Sequence, residues 1–305
     1  MGINVLSLFD GISCGQLALG RAGIEVNEYI ASEINKESIK VAKHNFPNMI
    51  HLGDVKRLQT EGMIRIDLLI AGSPCQDLSG AKTNGEGLNG EKSKLFFEFV
   101  RILNEVKPTY FLLENVKMKQ EWQDVISKIL EVQPIKINSN LVSGQNRERL
   151  YWTNIPGITQ PKDRGILIKD IIFDDGYKVF TDERIDNTRI KTKKYWKWDL
   201  SGKQYWSQQD RAYFKDGKMC TLPKANPSNK LNIWIGENKY RRCHPVEAER
   251  LQTLPDNYTS CIESHNKRLG LIGDGWTVDV ISHIFKQLDN ALSTKGETQG
   301  GNDGK

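Results

Sequence analysis

Hydrophobic positions in the first half of the chain fall into short apolar runs separated by stretches of helical period. Residues 4–9 form such a run, ending in Asp10-Gly11, and residues 26–31, 68–71 and 109–113 form others. Short apolar runs bounded by turn residues predict strands, and those at 68–71 and 109–113 have no polar alternation, as in strands covered on both faces. Between them, residues 14–22 read as a helix stopped by Gly23, and residues 36–45 as a helix with Ile39, Ala42 and Phe46 on one face before Pro47. Leu95, Phe99, Ile102, Leu103 and Val106 recur at helical spacing before Pro108, and Trp122, Val125, Ile126, Ile129 and Leu130 form another amphipathic face. Residues 135–138 and 150–153 read as the last strands. This alternation predicts a doubly wound, Rossmann-like α/β sheet.

The pattern stops near Pro156. From 160 to 242 no long amphipathic period is visible, and short β-like pieces such as 231–235 sit among Gly, Asn, Asp and Pro. The expected organisation is an α/β domain over 1–159, a smaller, mostly β or irregular domain over 160–242, helices at 245–251 and 278–292 that return to the first domain, and an unstructured polar tail over 293–305.

Composition and charge narrow the function classes. The chain has 305 residues, 38% hydrophobic and 27% charged, which is globular composition. No stretch approaches the roughly 20 apolar residues of a membrane helix. The N-terminus enters a strand-like run with neither a basic leader nor a small-residue cleavage site, so a cytoplasmic protein is expected. Five scattered cysteines, at 14, 75, 220, 243 and 261, have neither metal-ligand spacing nor the spacing of a disulfide framework. Residues 160–242 hold 19 Lys and Arg against 11 Asp and Glu, leaving 24 against 27 elsewhere, so this one segment carries the whole positive excess. It also holds Trp196, Trp198, Trp206 and Trp234. Cations for phosphates, interleaved with flat side chains for bases, suit a nucleic-acid surface; a solvated insertion with a small aromatic core would look the same.

In a doubly wound sheet, ligands sit at the carboxyl ends of the strands. Polar and glycine-rich groups stand there, at Asp10-Gly11, Glu33, Asp54, Ser73-Pro74-Cys75-Gln76 and Glu114-Asn115. The Phe9-Asp10-Gly11-Ile12-Ser13-Cys14-Gly15 turn suits an adenosine-type cofactor but is not the dinucleotide fingerprint, whose close glycines serve a pyrophosphate. Glu33 is placed for ribose hydroxyls and Asp54 for an adenine amino group, although capping would account for either carboxylate alone. Cys75 follows a buried strand, and residues 77–94 after it are polar and aperiodic with Gly80, Gly85, Gly87 and Gly90, as in a lid. Glu114 ends a hydrophobic strand, where a carboxyl can be raised to serve as an acid. Arg147 and Arg149, two apart, would share one strand face and clamp an oxygen or a phosphate.

Phe9-Asp10-Gly11, Pro74-Cys75, Glu114-Asn115-Val116 and Gln145-x-Arg147-x-Arg149 stand in the order and spacing of the cytosine-5 DNA methyltransferases, and the chain resembles that family from about residue 3 to 290. Leu6-Ser7-Leu8-Phe9-Asp10-Gly11-Ile12, Tyr29-Ile30-Ala31-Ser32-Glu33, Gly72-Ser73-Pro74-Cys75 with Asp77-Leu78-Ser79, and Leu95-Phe96-Phe97-Glu98-Phe99 resemble most the catalytic domains of the animal de novo enzymes. Gly273-Asp274-Gly275-Trp276-Thr277-Val278 also departs from the Gly-Asn-Ser-Val of many bacterial members toward that type. The compact length implies a bacterial or phage enzyme.

The resemblance implies a class I methyltransferase sheet, a target-recognition domain at 160–242, and transfer of methyl from S-adenosylmethionine to C5 of a flipped-out cytosine, leaving S-adenosylhomocysteine. It makes Cys75 the nucleophile at C6, Glu114 the partner of N3, Arg149 a contact to the base carbonyl, Arg147 a group placing thiol and substrate, and Asn115 an orderer of the Glu114 loop. Phe9, Asp10, Gly11, Ile12, Glu33, Ile34, Asp54, Val55, Gly72, Pro74, Leu95 and Trp276 would line the cofactor pocket. Gln76, Ser79, Lys82, Arg147, Lys191, Lys193, Lys194 and Arg241 would meet double-stranded DNA. No metal is implied. A cognate restriction endonuclease and a dimer remain open, with a monomer as the default. A tRNA cytosine methyltransferase is the nearest alternative, but its usual Cys-Phe-Thr motif is absent from the sequence. An inactive DNA-binding homologue would have lost Cys, Glu or Arg from these motifs, and all three are present.

Overall fold

A computed structural model of the chain describes residues 2–73, 94–173, 179–181, 189–191, 195–198, 211–224, 231–236 and 239–299, with backbone alone at 179–181, 189–191, 195–198 and 289–299. Two compact units emerge: residues up to Ile137 with Glu148–Gln160 and the chain from Val278 onward, and Asn138–Arg147 with Pro161–Thr277.

The first unit is built on a seven-stranded sheet. Its strands are β1 (Ile3–Leu8), β2 (Val26–Ser32), β3 (Ile50–His51), β4 (Leu68–Gly72), β5 (Tyr110–Val116), β6 (Ile135–Asn138) and β7 (Glu148–Thr153), in the spatial order β3-β2-β1-β4-β5-β7-β6. β2 and β4 flank β1 in parallel, β3 adds to β2 and β5 to β4 in parallel, and β7 runs antiparallel to β5. The order reverses at β1 and β4, the topological switch where open α/β sheets bind ligands.

The helices follow from local chemistry. α1 (Cys14–Ala22) ends where Gly23 adopts φ 81° and donates to the carbonyls of Gly20 and Leu19. α2 (Lys36–Asn45) starts at Asn35, whose side chain accepts from the backbone of Glu37 and Ser38. α3 (Lys94–Val106) buries Phe96, Phe99 and Ile102, and α4 (Gln120–Leu130) buries Ile126 and Leu130. These join Leu6, Leu8, Leu69, Ala71, Leu113 and Trp152 in the main core. Trp152 is fully buried and its indole nitrogen donates to Ser127 Oγ at 2.9 Å, so burial strands no donor.

The second unit carries a six-stranded sheet in the order β8-β13-β12-β11-β10-β9. Its strands are β8 (Val179–Thr181), β9 (Arg189–Lys191), β10 (Tyr195–Trp198), β11 (Arg211–Tyr213), β12 (Asn232–Gly236) and β13 (Lys239–Arg242). Helices α5 (Pro245–Leu251) and α6 (His265–Asp274) belong to this unit, and only α7 (Val278–Gln299) returns to the first. That differs from the expected return of everything after 243. The Glu247 and Glu249 side chains of α5 are tied into the second unit, as described below. α7 also continues through 293–299, where its polar composition predicted an unstructured tail. Among the described residues no helix is long and apolar enough to cross a membrane.

Candidate active site

β1 delivers the chain into a tightly wound loop. Phe9 (φ 56°), Gly11 (φ 60°) and Ser13 (φ 59°) are all left-handed. Gly11 adopts this without a Cβ penalty, whereas Phe9 and Ser13 are strained and must be held by neighbours. Asp10 is at the centre. Its Oδ1 accepts from Ser7 Oγ at 2.6 Å and Tyr29 OH at 2.7 Å, and its Oδ2 accepts from the Ser13 hydroxyl. Burial pushes the Asp10 carboxyl above its ordinary range; the Ser13, Ser7 and Tyr29 hydroxyls pull it back, and the Glu33 charge adds a further upward push.

Glu33, just beyond β2, braces the loop from the other side. Its Oε2 accepts from Gly11 N at 2.9 Å, and its Oε1 from Ile34 N at 2.8 Å and Asn35 N at 2.9 Å. A carboxylate has about four acceptor positions, so Oε2 keeps capacity for another donor. The neighbouring Ile34 side chain is 71% exposed. Asp54 caps the short 3-10 turn Val55–Arg57 through a 3.0 Å bond from Lys56 N. The Val55 and Ile12 side chains are buried, with Val55 in the main core, so any ligand contact by Val55 falls to its main chain. Leu95 packs half-buried on that core, and Gly72 is the last residue of β4.

At the next strand the sequence-based boundary is corrected. β5 runs on to Val116, so Glu114 and Asn115 lie inside the strand. Gly72 pairs with Glu114, and Asn115 Nδ2 donates to Ser73 Oγ at 3.1 Å, fastening the exit of β4 to the end of β5. Because β7 is antiparallel to β5, its first residues lie at the ligand edge. Glu114 pairs with Tyr151 and Val116 with Arg149, so Glu114 and Arg149 are diagonal neighbours on one face. Their side chains, 10% and 13% exposed, form an ion pair with Arg149 Nε 2.9 Å from Glu114 Oε1.

Arg147 does not share that face. It precedes β7, belongs to the second unit, and is buried. Its guanidinium donates to the carbonyls of Gly275 at 2.9 Å, Gly273 at 3.1 Å and Leu222 at 3.5 Å. Gln252, absent from the sequence-based expectations, and Gln145, quoted there only as a motif position without a role, act on the same segment. Gln252 donates to Ile272 O and Gly275 O, both at 2.9 Å, and accepts from Thr277 Oγ1 at 2.7 Å; Gln145 donates to Gln252 Oε1 at 3.1 Å. Gly273 must be glycine, since a Cβ there would stand 2.1 Å from Pro223 O. The half-buried Trp276 thus sits in a backbone segment held by buried amides and a guanidinium. The role of Gln252 carries no sequence signature because it donates to main-chain carbonyls and its side-chain partners, Gln145 and Thr277, are distant in the chain.

Arg241 is likewise corrected. It is 7% exposed, and its two terminal nitrogens grip the fully buried Glu247 at 2.5 and 2.9 Å, so the guanidinium is committed inside the unit. Glu249, also fully buried, accepts from Arg268 at 2.9 Å and from Thr259 N at 2.9 Å. Buried carboxylates of this kind require such partners.

The four described cysteines form no disulfide with one another. Burial pushes the Cys220 thiol up to about 11 and Cys243 well above its ordinary value, which removes the thiolate either would need as a nucleophile. Pro74, Cys75, Gln76, Ser79, Lys82, Lys193 and Lys194 lie outside the described residues, as do the Lys191 side chain and the expected lid over 76–94 except for Lys94, which opens α3; the Lys191 backbone is in β9.

The comparisons with known proteins agree with this architecture. The family model for the C-5 cytosine-specific DNA methylases matches residues 3–155 and 169–290. The type II methyltransferase M.FnuDI of Fusobacterium nucleatum is 28% identical over 334 residues, covering 96% of both chains. The orphan methyltransferase M.Rho11sI of Bacillus phage rho11s is 33% identical over 162 residues, or 49% of this chain and 32% of that one. In fold, the Entamoeba histolytica methyltransferase EhMeth superposes with a TM-score of 0.74 at 17% identity, covering 96% of this chain and 99% of that one. The two-part family match spans both the strained β1 loop and the Glu114–Arg149 edge, and the chain therefore belongs to the C-5 cytosine-specific DNA methylases, enzymes that methylate cytosine in DNA.

Proposed function

We propose that this enzyme transfers methyl from S-adenosylmethionine to C5 of a cytosine extruded from double-stranded DNA, with Cys75 as the covalent nucleophile. The observation that carries the reading is the Glu114–Arg149 pair beside the Gly72–Glu114 register, with Ser73 tied to Asn115. Two residues of chain span at most about 7 Å, so Cys75 is on a short tether from Ser73.

Cytosine C5 is a poor nucleophile. The Cys75 thiolate forms a bond to C6, and the ring electron pair moves toward N3 and C5. Glu114 donates a proton to N3 so that negative charge does not accumulate there, while Arg149 binds the base carbonyl and orients Glu114. S-adenosylmethionine supplies the electrophilic methyl when bound. C5 then gives up its proton to water, the S–C6 bond breaks with its electron pair returning to Cys75 as thiolate, the C5–C6 double bond returns, and N3 hands its proton back to Glu114. The target atom is inaccessible in a stacked duplex, so the base must be extruded, at a cost of a few kcal/mol.

The β1–β3 edge fits the cofactor. Glu33 retains acceptor capacity for a ribose hydroxyl, the open Ile34 offers an apolar surface to adenine, and Asp54 stands shortly after β3. Among the described residues, none beyond the chain neighbours Asp10 and Ile12 has an atom within 4 Å of the place a Gly11 Cβ would take, leaving space above the loop. Phe9, Asp10, Gly11, Ile12, Glu33, Ile34, Asp54, Val55, Gly72, Pro74 and Leu95 form the cofactor set in this reading. The basic segment 160–242 reads as the target-recognition domain, with Lys191, Lys193 and Lys194 on phosphate. In this reading the enzyme acts in the cytoplasm, with a monomer as the default state and a dimer as the alternative.

The test is Cys75→Ser together with a duplex carrying 5-fluorocytosine. Methyl transfer is lost in the variant while S-adenosylhomocysteine binding persists, and only the wild type forms a denaturant-stable adduct. Ordinary turnover by the variant, or methylation of tRNA with no activity on duplex DNA, overturns the reading.

A further inference from the structure

We propose that Tyr29 is a positioning residue for the cofactor: its hydroxyl, with that of Ser7, locks the Asp10 carboxylate as an internal brace of the left-handed Phe9–Ser13 loop. The inference rests on the reading of the β1–β3 edge as the cofactor site and changes the role of Asp10 within it.

Asp10 was expected to face the ligand. Three side-chain hydroxyls instead converge on its carboxylate, from β1 (Ser7), β2 (Tyr29) and the loop itself (Ser13). Ser7 and Tyr29 are 1% and 4% exposed, so these donors are fixed by the sheet and not by solvent. Tyr29 pairs with Val5 in the β1–β2 register, two residues before Ser7 on the same face, and reaches along the strands to Asp10. The backbone is pinned as well, by Asp10 N donating to Ser32 O at 3.1 Å and Ser13 N to Asp10 O at 3.2 Å.

The brace has something to oppose. Phe9 and Ser13 hold left-handed backbone without the freedom of glycine, so the loop relaxes unless neighbours over-determine it. Gly11 lies between them and donates its N–H to Glu33, the carboxylate read as the ribose acceptor. A loop that relaxes therefore moves Gly11 away from Glu33 and alters the orientation of that carboxylate. Hydrogen bonds to a charged acceptor are stronger than neutral ones, which makes a single phenol a sufficient lever.

Titration of Tyr29→Phe with S-adenosylhomocysteine tests the idea. The Kd rises about tenfold, KM for S-adenosylmethionine rises in parallel, and kcat and duplex affinity stay near wild type. Ser7→Ala shifts the Kd in the same direction. The effects of Tyr29→Phe and Asp10→Ala overlap instead of adding, because both remove the same brace. A Tyr29→Phe protein that melts lower but binds S-adenosylhomocysteine as tightly as wild type overturns the proposal. Additive effects of Tyr29→Phe and Asp10→Ala overturn it as well, since they assign Asp10 its own ligand contact. Glu33→Ala separates the two levels: if it leaves S-adenosylhomocysteine binding unchanged, the reading of this edge as the cofactor site fails, whatever Tyr29 does.

Discussion

Arg149 Nε stands 2.9 Å from Glu114 Oε1, a diagonal pair across two antiparallel strands with both side chains largely withdrawn from water. The pairing is possible only because β7 runs against β5, which brings the start of one strand to the end of the other.

Breaking this pair from either side has unequal consequences. Arg149→Leu leaves a largely buried carboxylate without its cation and costs about 3 kcal/mol of stability. Glu114→Gln keeps an acceptor for Arg149 and costs about 1 kcal/mol, yet lowers methyl transfer at least about a hundredfold because the amide cannot protonate N3. Urea unfolding and a methyl-incorporation assay measure both. Equal stability losses in the two variants would contradict the argument.

Asp10 links stability to pH. Folding raises its carboxyl, so the native chain holds that proton more tightly than the unfolded chain does. Its favourable contribution is complete below about pH 3.9 and disappears as pH rises through the folded value. Asp10→Asn carries no such penalty. Relative to wild type, the variant is therefore more stable at about pH 8 than at about pH 4, read from urea midpoints. A stability difference that does not change with pH would count against burial as the dominant influence on this carboxyl.

Two glycines separate close approach from mere turn composition. Gly273→Ala drives a methyl into the Pro223 carbonyl, a backbone atom that cannot swing aside, and costs about 2 kcal/mol or more. Gly20→Ala, on α1 with open space around the new methyl, raises stability by about 0.5–1 kcal/mol. Thermal melts distinguish them, and a harmless Gly273→Ala would mean the Trp276 segment is not packed as described.

Salt dependence separates Arg241 from the basic lysines. Arg241→Met strands the fully buried Glu247 and destabilises the second unit by about 3–5 kcal/mol. At temperatures where that variant remains folded, its DNA-binding slope against salt matches wild type. Glutamine at Lys191, Lys193 and Lys194 leaves stability alone and reduces the slope by about 0.9 for each phosphate that is no longer neutralised. An unchanged slope in the lysine variant would make those side chains merely solvated.

Local pattern and short motifs determined a good deal of this protein. α1 and α2 are bounded where Gly23 and the Asn35 cap place them, and β1, β2 and β4 appear within a residue or two of their apolar runs. Such elements are legible because periodicity, caps and turn residues act over a few positions. The motif order identified the family for the same reason: its reactive groups follow successive strands, so they survive as short words in the chain.

What the tertiary structure alone decided concerns contacts between distant segments. Arg147 and Arg149 are two apart in sequence, yet one serves main-chain carbonyls in the second unit and the other meets Glu114 in the first. Arg241 stands in a basic segment but is spent on Glu247, and Asp10 faces inward toward Ser7 and Tyr29. A charged residue reads alike in sequence whether water, a phosphate or a buried partner satisfies it. Only the folded chain supplies the partner, because desolvation, which makes that choice costly or favourable, does not exist until the surrounding segments have packed.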